Sequence, residues 1–273
     1  MTRMPLFVIN LDRRPDRLVA QRTQAARLCL DIECIPAIDG ADPRFAARAE
    51  GFARNGPIGP LNDGTLACSM SHALAWKRLL DSSKEAAFIL EDDAELSAKL
   101  PAFLDAFGDA RLGLDLVRLE RKSNERGLFV EKSGYEIAGC ELRRLHSLHA
   151  GAAAYIISRR GAQVALDRFE GIDIPVDHYL FSPARRTVFA ALRPYQVFPA
   201  LARQSLDIGG RSDVGSRTKR GDVASGARQF GYHARRTLFE AGAFLGALVG
   251  AGMGRLAIRR AEFDEAAQPA RRE

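Results

Sequence analysis

At its start the chain has a short apolar run, a segment of helical periodicity and a second apolar run. Few folds are compatible with this order. Leu6–Ile9 is a short apolar run, and helical spacing follows over Pro15–Leu28. Proline suits the first turn of a helix because it lacks an N–H that would be unpaired there anyway. A second apolar run, Ile32–Ile38, ends at Asp39-Gly40. Strand, helix and strand in this order predict a parallel sheet that binds ligands at the carboxyl ends of its strands.

The rest of the chain continues this α/β pattern. Glycine, proline and aspartate punctuate residues 55–64, which predicts a loop, and helices are expected over Leu66–Leu80 and Ala162–Leu166. Short apolar runs bounded by turn residues are typical of buried strands. Runs of this kind are Ala86–Leu90, Leu114–Leu119, Ala152–Ile157, Val188–Leu192 and Gln196–Phe198. The sequence therefore predicts an α/β domain with a mainly parallel central sheet.

The composition changes after Gln204. With 273 residues, of which 47% are hydrophobic and 27% charged, the chain can form one large globular domain or two small ones, and it is not a disordered protein. Asp207–Gly226 is rich in glycine, serine, arginine and aspartate and has almost no large apolar residue. We therefore expect a folded domain over residues 1–205, followed over 206–273 by a basic Gly/Arg-rich linker and a C-terminal helical segment.

The chain is basic, and the excess of positive charge grows towards its end. It has 40 Lys and Arg residues against 34 Asp and Glu, a formal net charge of +6. This bias favours a polyanionic partner, although a merely soluble basic surface is equally compatible with it. The basic segment lacks the interleaved aromatic residues that are typical of nucleic-acid binding, so we expect no nucleic acid among the partners.

One uncharged segment lies within this basic end. Ala241–Gly254 is rich in glycine and alanine and is flanked by Arg235-Arg236 and Arg255. It is shorter than the ~20 residues that a helix needs to span a bilayer. Two interpretations stay open: a helix that lies in the interface of an anionic membrane, or a helix docked on the domain.

The cysteines and the beginning of the sequence indicate the compartment. Cys29, Cys34, Cys68 and Cys140 lie in apolar runs without paired metal-type spacing, which fits a reduced environment. The first apolar run is too short for a secretory signal. We expect a cytoplasmic protein, which its basic end could hold at the inner face of the plasma membrane.

Three acids follow the apolar run of the expected central strand. Glu91, Asp92 and Asp93 come directly after Ala86–Leu90, so carboxylates are held together at the edge of the sheet. Carboxylates this close repel one another unless a cation lies between them. A hard ion such as Mg²⁺ or Mn²⁺ is commonly shared between carboxylates and substrate phosphates. The alternative is that Asp92 or Asp93 caps a helix that begins after Ala94, with Glu91 in solvent.

A polar segment joins the first strand to its helix. Asn10 and the arginines at 13, 14 and 17 reach the edge of the sheet where ligands are expected, and Arg14 and Arg17 share one face of the helix. Guanidinium groups match phosphate oxygens, and the helix N-terminus adds N–H donors, so this segment could bind a nucleotide. Surface ion pairing of the arginines with Asp12 and Asp16 is the alternative.

Two further groups are candidate functional side chains. Ser69, His72 and Trp76 fall at helical spacing on one side of Leu66–Leu80, and such a polar and aromatic strip could face a ligand. The alternative for His72 is a hydrogen-bonded structural role. Asp173 and Asp177 flank a turn before a short helix and are candidate general bases, with helix capping as the alternative, stronger for Asp173.

Together these segments resemble glycosyltransferase family 25, which contains lipooligosaccharide galactosyltransferases and the collagen galactosyltransferase domains. The resemblance covers about residues 5–204. A serine-histidine helix followed by a strand that ends in Glu-Asp-Asp is a fairly specific combination, whereas either half alone is weak. The segments that carry the resemblance are Phe7–Arg13 with Arg17, Ala37–Gly40, Ala67–His72, Ala75-Trp76, Phe88–Ala94, Gly151–Ser158 with Gly161, and Pro175–Asp177.

The resemblance implies a GT-A-type nucleotide-diphospho-sugar transferase fold. It implies inverting, metal-dependent transfer from a UDP-sugar, most commonly UDP-galactose, to a lipopolysaccharide, a lipid-linked saccharide or another cell-surface glycan, with Mn²⁺ or Mg²⁺. By this analogy Glu91, Asp92 and Asp93 form the metal and donor motif. Together with the residue patterns above, we expect Asp177 as the base, Glu91 and Asp93 as metal ligands, and Asn10, Arg14, Arg17, Ser69, His72, Glu91 and Asp92 as donor-binding residues.

One segment departs from the family pattern. Gly64-Thr65-Leu66-Ala67 stands where the family usually has Gly-Glu-x-Gly, so an acid and a glycine are lost. A catalytically silent nucleotide- or glycan-binding protein on the same fold is therefore the alternative function.

Overall fold

The structure, a computed structural model, describes residues 4–121, 127–148, 150–184, 187–204, 241–242 and 245–265. Its strands are β1 (Leu6–Asn10), β2 (Ile32–Pro36), β3 (Asn55–Gly56), β4 (Gly59–Pro60), β5 (Ala86–Glu91), β6 (Ala94–Leu96), β7 (Leu116–Arg118), β8 (Glu120–Arg121), β9 (Leu128–Ile137), β10 (Cys140–Leu145), β11 (Ala154–Ser158), β12 (Tyr195–Phe198), β13 (Ala202–Gln204) and β14 (Leu256–Arg259). Its helices are α1 (Pro15–Arg27), α2 (Phe45–Arg48), α3 (Asp63–Leu80), α4 (Leu100–Ala110), α5 (Arg159–Asp167), α6 (Val176–Phe181) and α7 (Phe189–Leu192).

A nine-stranded sheet with the order β14-β9-β10-β12-β7-β11-β5-β1-β2 forms the centre of the molecule. β1 pairs in parallel with β2 and β5, and β7 with β12. The antiparallel pairs arise because β10, β11 and β14 run against the other six strands. The predicted α/β class and mainly parallel strand direction are confirmed. The carboxyl ends of β1, β2, β5 and β7 therefore meet at one edge.

Helices cover both faces of this sheet. Alternate residues of β1 point to opposite sides, so Phe7 packs with α3, α5 and α6, whereas Val8 packs with α1 and α4. Trp76 and Phe103 are fully buried, one in each of these two layers. A sheet with apolar side chains on both faces is held in place by both layers, which fixes its ligand-binding edge.

Two predicted helices begin where their caps lie. α3 starts at Asp63, three residues before the predicted Leu66, because the Asn62 side chain accepts a hydrogen bond of 2.7 Å from the Thr65 N–H. α5 begins at Arg159, where the Ser158 hydroxyl accepts the Gly161 N–H at 2.9 Å. Capping side chains therefore extend both helices beyond their apolar stretches.

One strand prediction is wrong. Val188–Leu192 was expected to be a strand, but residues 189–192 form α7, which Arg193 ends in a left-handed conformation (φ 49°). A short apolar run does not reveal by its periodicity whether it is a buried strand or a buried helical turn.

A hairpin of β9 and β10 adds strands that the apolar pattern does not indicate. Ala138 and Gly139, between the two strands, both have positive φ angles, 49° and 72°. Two such residues form the tight turn that favours a hairpin. Residues 132–136 of β9 are exposed, so this half of the strand lacks the apolar residues that mark a buried strand.

The end of the predicted C-terminal extension joins the main sheet. β14 pairs with β9. Asp264 accepts a hydrogen bond of 2.6 Å from the Ser97 hydroxyl and forms an ion pair of 2.9 Å with Lys99. Residues 206–240, which include the predicted Gly/Arg-rich linker, lie outside the described residues. Residues 245–252 are helical, and none of the helices in the described ranges is long and apolar enough to cross a membrane.

Candidate functional site

A cavity opens at the predicted ligand-binding edge of the sheet. Its walls are the ends of β1 and β5, the loop after β2 and the first turns of α3, with Gln204 of β13 at its margin. Gly40 permits this geometry, since a Cβ at that position would lie 2.7 Å from the backbone of Asp63 at the start of α3. The helix therefore approaches the loop after β2 closely enough for both to share one cavity.

The three acids after β5 have three different environments. Glu91 lies 3.2 Å from Nε2 of His72, and Asp92 forms a buried ion pair of 2.9 Å with Arg17. Oδ1 of Asp93 is buried and has no hydrogen-bond partner within the described structure. Burial, followed by the charges of Glu91 and Asp92, raises the pKa of Asp93 from 3.8 to about 8.

Helix α1 fixes the loop that carries these acids. The Gln21 side chain donates to the backbone carbonyls of Asp92 (3.1 Å) and Ala94 (2.6 Å), and Arg17 neutralises Asp92 from the same helix. The capping alternative for Asp92 and Asp93 is wrong, because Ala94 begins strand β6 and not a helix.

A buried chain of hydrogen bonds leads from α3 to Glu91. Trp76 Nε1–H donates to the Tyr155 hydroxyl at 2.9 Å, and this hydroxyl lies 2.8 Å from Nδ1 of His72. Burial lowers the pKa of His72 from 6.5 to about 4, although the negative charges of Asp177 and Glu120 oppose this shift. His72 is therefore neutral at pH 7, and its Nε2–H can donate to Glu91.

The side of α3 that faces the cavity differs from the predicted strip. Cys68, Ser71 and His72 line the cavity. Ser69 is buried and donates its hydroxyl to the carbonyl of Thr65 (3.1 Å), and Trp76 lies in the core. The structure therefore does not bring the predicted donor-binding Ser69 to the cavity, since the stripe of the helix that lines the cavity is offset by one or two residues.

The arginines of the polar segment after β1 lie in two different environments. Arg17 and Arg13 line the cavity, and Arg13 pairs with Asp39 at 2.6 Å. Arg14 instead pairs with Asp16 at 2.9 Å on the surface, as the ion-pair alternative for this segment predicts, and it is not among the lining residues. The predicted donor-binding role of Arg14 therefore lacks support from its position.

Asn10 lies behind the cavity wall, where it is 3% exposed. Its Nδ2 donates to the carbonyl of Leu11 at 2.8 Å, and its Oδ1 has no hydrogen-bond partner among the described residues. Its predicted contact with the donor stays a prediction.

Asp177 lies in the first turn of α6. Its two carboxylate oxygens accept the backbone N–H groups of Gly151 (3.1 Å) and His178 (2.9 Å), and its charge acts on His72. Asp173 instead lines a separate cavity together with Tyr179. The two candidate bases are therefore at different places, and the charge of Asp177 acts on His72 of the main cavity.

Glu120 is an acid at this edge that none of the predicted sequence motifs includes. It follows β7 at the same edge as Glu91 and is fully buried. Its Oε2 accepts the Ala153 N–H at 2.8 Å, whereas its Oε1 has no hydrogen-bond partner in the described part of the chain. The signal was present in the sequence, because the apolar run Leu114–Leu119 ends in this acid as Ala86–Leu90 ends in Glu91.

The comparison with known families agrees with this geometry. A model described as glycosyltransferase family 25 (LPS biosynthesis protein) matches residues 4–180 of the 273. The chain belongs to glycosyltransferase family 25. The match contains every segment that lines the cavity except Gln204, and it also contains Asp177.

Several family 25 relatives are similar over parts of their length. A "Glycosyltransferase 25 family member" of Aedes aegypti is 28% identical over 64% of this chain and 30% of that protein. "Lacto-N-neotetraose biosynthesis glycosyltransferase LgtE" of Neisseria gonorrhoeae is 34% identical over 51% of this chain and 52% of that protein. "Procollagen galactosyltransferase 2" of Homo sapiens is 26% identical over 64% and 29%. The chain thus spans about half the length of these relatives or less.

Proposed function

We propose that this family 25 chain is a metal-dependent, inverting glycosyltransferase. It would move a sugar, with galactose as the first candidate, from a UDP-sugar to a lipopolysaccharide or another cell-surface glycan. The relative named as a procollagen galactosyltransferase supports galactose as the sugar, and the family description as an LPS biosynthesis protein supports a lipopolysaccharide acceptor. The observation that carries the proposal is the meeting of Asp93, Glu91 and Arg13 in one cavity at the carboxyl ends of parallel strands.

The donor's diphosphate would bind between two sources of positive potential. Arg13 is about half exposed, with 43% of its side-chain surface accessible, so its guanidinium can contact phosphate oxygens. Gly64, in the first turn of α3, lines the same cavity, and the N–H groups at a helix N-terminus favour a phosphate. Arg17 acts indirectly, since its charge compensates Asp92.

The residues present fit a hard divalent ion. Asp93 has a buried oxygen without a hydrogen-bond partner in the described structure, and its pKa is raised to about 8 by burial and by Glu91 and Asp92. A carboxylate in this state is stabilised by a nearby cation. Asp93 and Glu91 would hold Mn²⁺ or Mg²⁺, both of which prefer oxygen ligands. When bound, the ion would supply charge stabilisation to the departing diphosphate.

Asp177 is the proposed general base. An acceptor hydroxyl loses its proton when it attacks the sugar, and a single carboxylate on the acceptor side is enough for a single displacement. The N–H groups of Gly151 and His178 hold the two oxygens of Asp177 in place. An ionised carboxylate has about four lone-pair positions, so capacity is left to accept the proton.

A donor screen tests the proposed activity. The purified chain is incubated with UDP-, GDP- and CMP-sugars with and without Mn²⁺, and both thermal shift and release of the nucleoside diphosphate are measured. We expect stabilisation and turnover with a UDP-sugar and Mn²⁺, and loss of turnover in Asp93→Asn with the fold intact. Binding of a UDP-sugar without hydrolysis or transfer would favour the silent binding protein, and full Asp93→Asn turnover in chelator-treated buffer would contradict the metal role.

We also propose that the C-terminal region contacts an anionic membrane at the cytoplasmic face. Ala247 packs on Phe129 and Leu256, so one side of the 245–252 helix is docked on the domain. The opposite side carries large apolar residues, and Arg255 and Arg260 beside them are exposed. The exposed apolar side chains are Leu245 (61%), Leu248 (42%), Val249 (59%), Met253 (57%) and Ile258 (63%). An apolar face with a basic rim is typical of interfacial binding.

Vesicle sedimentation tests the membrane contact without removing β14 from the sheet. Leu245, Leu248 and Val249 are replaced together by Gln, and the matched control is Val19→Gln on α1, which is 60% exposed. The wild-type chain and the control are expected to sediment with phosphatidylglycerol vesicles but not with phosphatidylcholine vesicles, and the triple variant is expected to stay in solution. Equal sedimentation of the triple variant would refute the contact.

A further inference from the structure

A thiol, an imidazole and a carboxylate meet on the wall of the cavity where α3 faces the end of β5. One ligand atom from each of Cys68, His72 and Glu91 lies within 4.8 Å of the other two. His72 Nε2 and Glu91 Oε1 are 3.2 Å apart. Two ligands on a tetrahedral zinc ion are separated by about 3.3 Å, since each Zn–N or Zn–O bond is ~2.0–2.1 Å. One of the three distances is thus already that of a coordinated pair.

Rigid elements hold these three residues. Cys68 and His72 are four residues apart on α3, so they share one face of the helix. Asn62 caps this helix, and Glu91 is the last residue of the central strand β5. Cys68 is a thiol and not half of a disulfide. Only small side-chain movements are needed to bring all three atoms onto one ion.

Tyr155 can hold the His72 ring in the orientation that a metal ligand needs. In the structure Nδ1 of His72 lies 2.8 Å from the Tyr155 hydroxyl, and Nε2 faces Glu91. If the proton of the neutral ring moves from Nε2 to Nδ1, the Tyr155 oxygen can accept it in a hydrogen bond, because a phenol both donates and accepts. Nε2 then presents its lone pair to the cavity, and Tyr155 fixes the ring as outer partners of zinc-bound histidines do.

We propose that Cys68, His72 and Glu91 bind a zinc-class divalent ion at a site distinct from the hard-cation site of Asp93. A thiolate and an imidazole select Zn²⁺ or Co²⁺ over Mg²⁺ and Mn²⁺, which prefer an all-oxygen set. Three protein ligands leave the fourth tetrahedral position open towards the cavity. On binding, the Cys68 S–H bond breaks, its proton passes to solvent and a metal–sulfur bond forms, with no change in oxidation state.

The two cation sites compete for one residue. Glu91 belongs to the zinc-class site and is also a proposed ligand of the Mn²⁺ or Mg²⁺ ion at Asp93. A zinc ion on Cys68, His72 and Glu91 therefore lowers the affinity of the chain for Mn²⁺. Inhibition of sugar transfer by Zn²⁺ would follow, and that consequence alone rests on the proposed function.

Cobalt spectroscopy tests the site independently of activity. The full chain is titrated with Co²⁺, and a thiolate-to-cobalt charge-transfer band in the near ultraviolet is expected to saturate at one equivalent and to disappear when Zn²⁺ is added. Cys68→Ser should remove the band, because the hydroxyl does not replace the thiolate. The matched control is Cys29→Ser, which changes an exposed cysteine away from the cavity and should keep the band.

Further variants separate loss of the site from loss of the fold. Thermal unfolding is recorded for each protein, and Cys68→Ala is used if Cys68→Ser is not folded. Glu91→Gln is expected to weaken Zn²⁺ binding by more than about tenfold in competition with a chromophoric chelator. Loss of a residue that only hydrogen-bonds to a metal ligand already lowers metal affinity about tenfold, and Glu91 is itself a proposed ligand. A wild-type chain without the band, a band that persists in folded Cys68→Ser, or a band lost in Cys29→Ser would each overturn the proposal. The cobalt spectrum does not depend on transferase activity. Each of the two proposals can therefore be contradicted without the other.

Discussion

The ends of β5 and β7 lie at the same edge of the sheet and both carry acids, yet only the end of β5 opens into the cavity. Glu91 and Asp93 line that cavity, whereas Glu120 after β7 is fully buried. Arg118 of β7 is also fully buried and lies 3.5 Å from Glu120. After β5, Arg17 pairs with Asp92.

This difference is one of charge compensation. At the end of β7 the fully buried charges are one acid, Glu120, and one arginine, Arg118, which compensate each other. The end of β5 contains three acids against Arg17, and the pKa of Asp93 rises as a result of burial and the neighbouring charges. An acid after a buried strand is thus a functional candidate when the fold leaves its charge uncompensated, and a structural group when the fold supplies the counter-charge.

The largest expected effect is from Arg118→Met, which would break the compensation at β7. Arg118 donates to the carbonyls of Gly151 (3.2 Å) and Ala150 (3.1 Å) and to Gln196 Oε1 (3.0 Å). Its loss leaves Glu120 charged and buried, and breaking a buried pair in this way costs about 3–5 kcal/mol. Urea unfolding should show this decrease, whereas Arg44→Met, at an 80% exposed side chain, should leave the urea midpoint unchanged. Similar midpoints for both variants would contradict the comparison.

The next effect concerns how Glu91 is held, because His72 and Tyr155 position it through neutral hydrogen bonds. Tyr155→Phe would leave Trp76 Nε1–H and His72 Nδ1 without their partner. At the lower end of the ~1–3 kcal/mol range for each of these two buried groups, we expect a loss of about 2–3 kcal/mol in the free energy of unfolding. The same substitution at Tyr135, which is 39% exposed, is the control and should have little effect. An unchanged free energy of unfolding in Tyr155→Phe would show that this chain of hydrogen bonds does not stabilise the fold.

The pH dependence of stability tests the uncompensated charge of Asp93. Its pKa rises from 3.8 to about 8 on folding, so between these values the native state binds a proton that the unfolded state has lost. The stabilisation by this proton is complete below pH 3.8 and is lost as the pH rises through 8. His72 has the opposite sign, because its pKa falls from 6.5 to about 4 and its contribution is lost as the pH falls through this range.

The contribution of His72 is common to the wild type and an Asp93→Asn variant, so a comparison of the two proteins isolates Asp93. Relative to Asp93→Asn, the wild-type chain in chelator-containing buffer should lose about 2 kcal/mol between pH 6.5 and pH 8, at ~1.4 kcal/mol per pH unit. Urea unfolding of both proteins at the two pH values measures this difference. Addition of Mn²⁺ at pH 8 should restore stability to the wild type but not to the variant. A difference that is independent of pH would mean that Asp93 titrates normally.

The sequence allows the acidic end of β5 to be predicted because one local pattern, an apolar run followed by acids, sets its place in the sheet. It does not reveal which of the three acids is compensated, since Arg17 and Asp92 are far apart in the chain and meet only when α1 packs on the sheet. The sequence does not mark Cys68 as a candidate ligand for the same reason, because its partner Glu91 comes from another element. Local sequence patterns thus predict the ligand-binding edge of the sheet, whereas tertiary packing determines the role of each side chain at that edge.

The smallest expected effect distinguishes two neighbouring arginines at this edge. Arg13 lines the cavity, whereas Arg14 pairs with the exposed Asp16. Arg13→Ala should raise the KM for the UDP-sugar several-fold, because a guanidinium hydrogen bond to phosphate is worth about 1.5–3 kcal/mol in a favourable case and less at a half-exposed position. Arg14→Ala should leave both KM and the urea midpoint unchanged, since surface ion pairs contribute little. Equal KM values in the two variants would mean that the donor does not reach Arg13, and a raised KM for Arg14→Ala alone would restore the donor-binding role predicted for that residue.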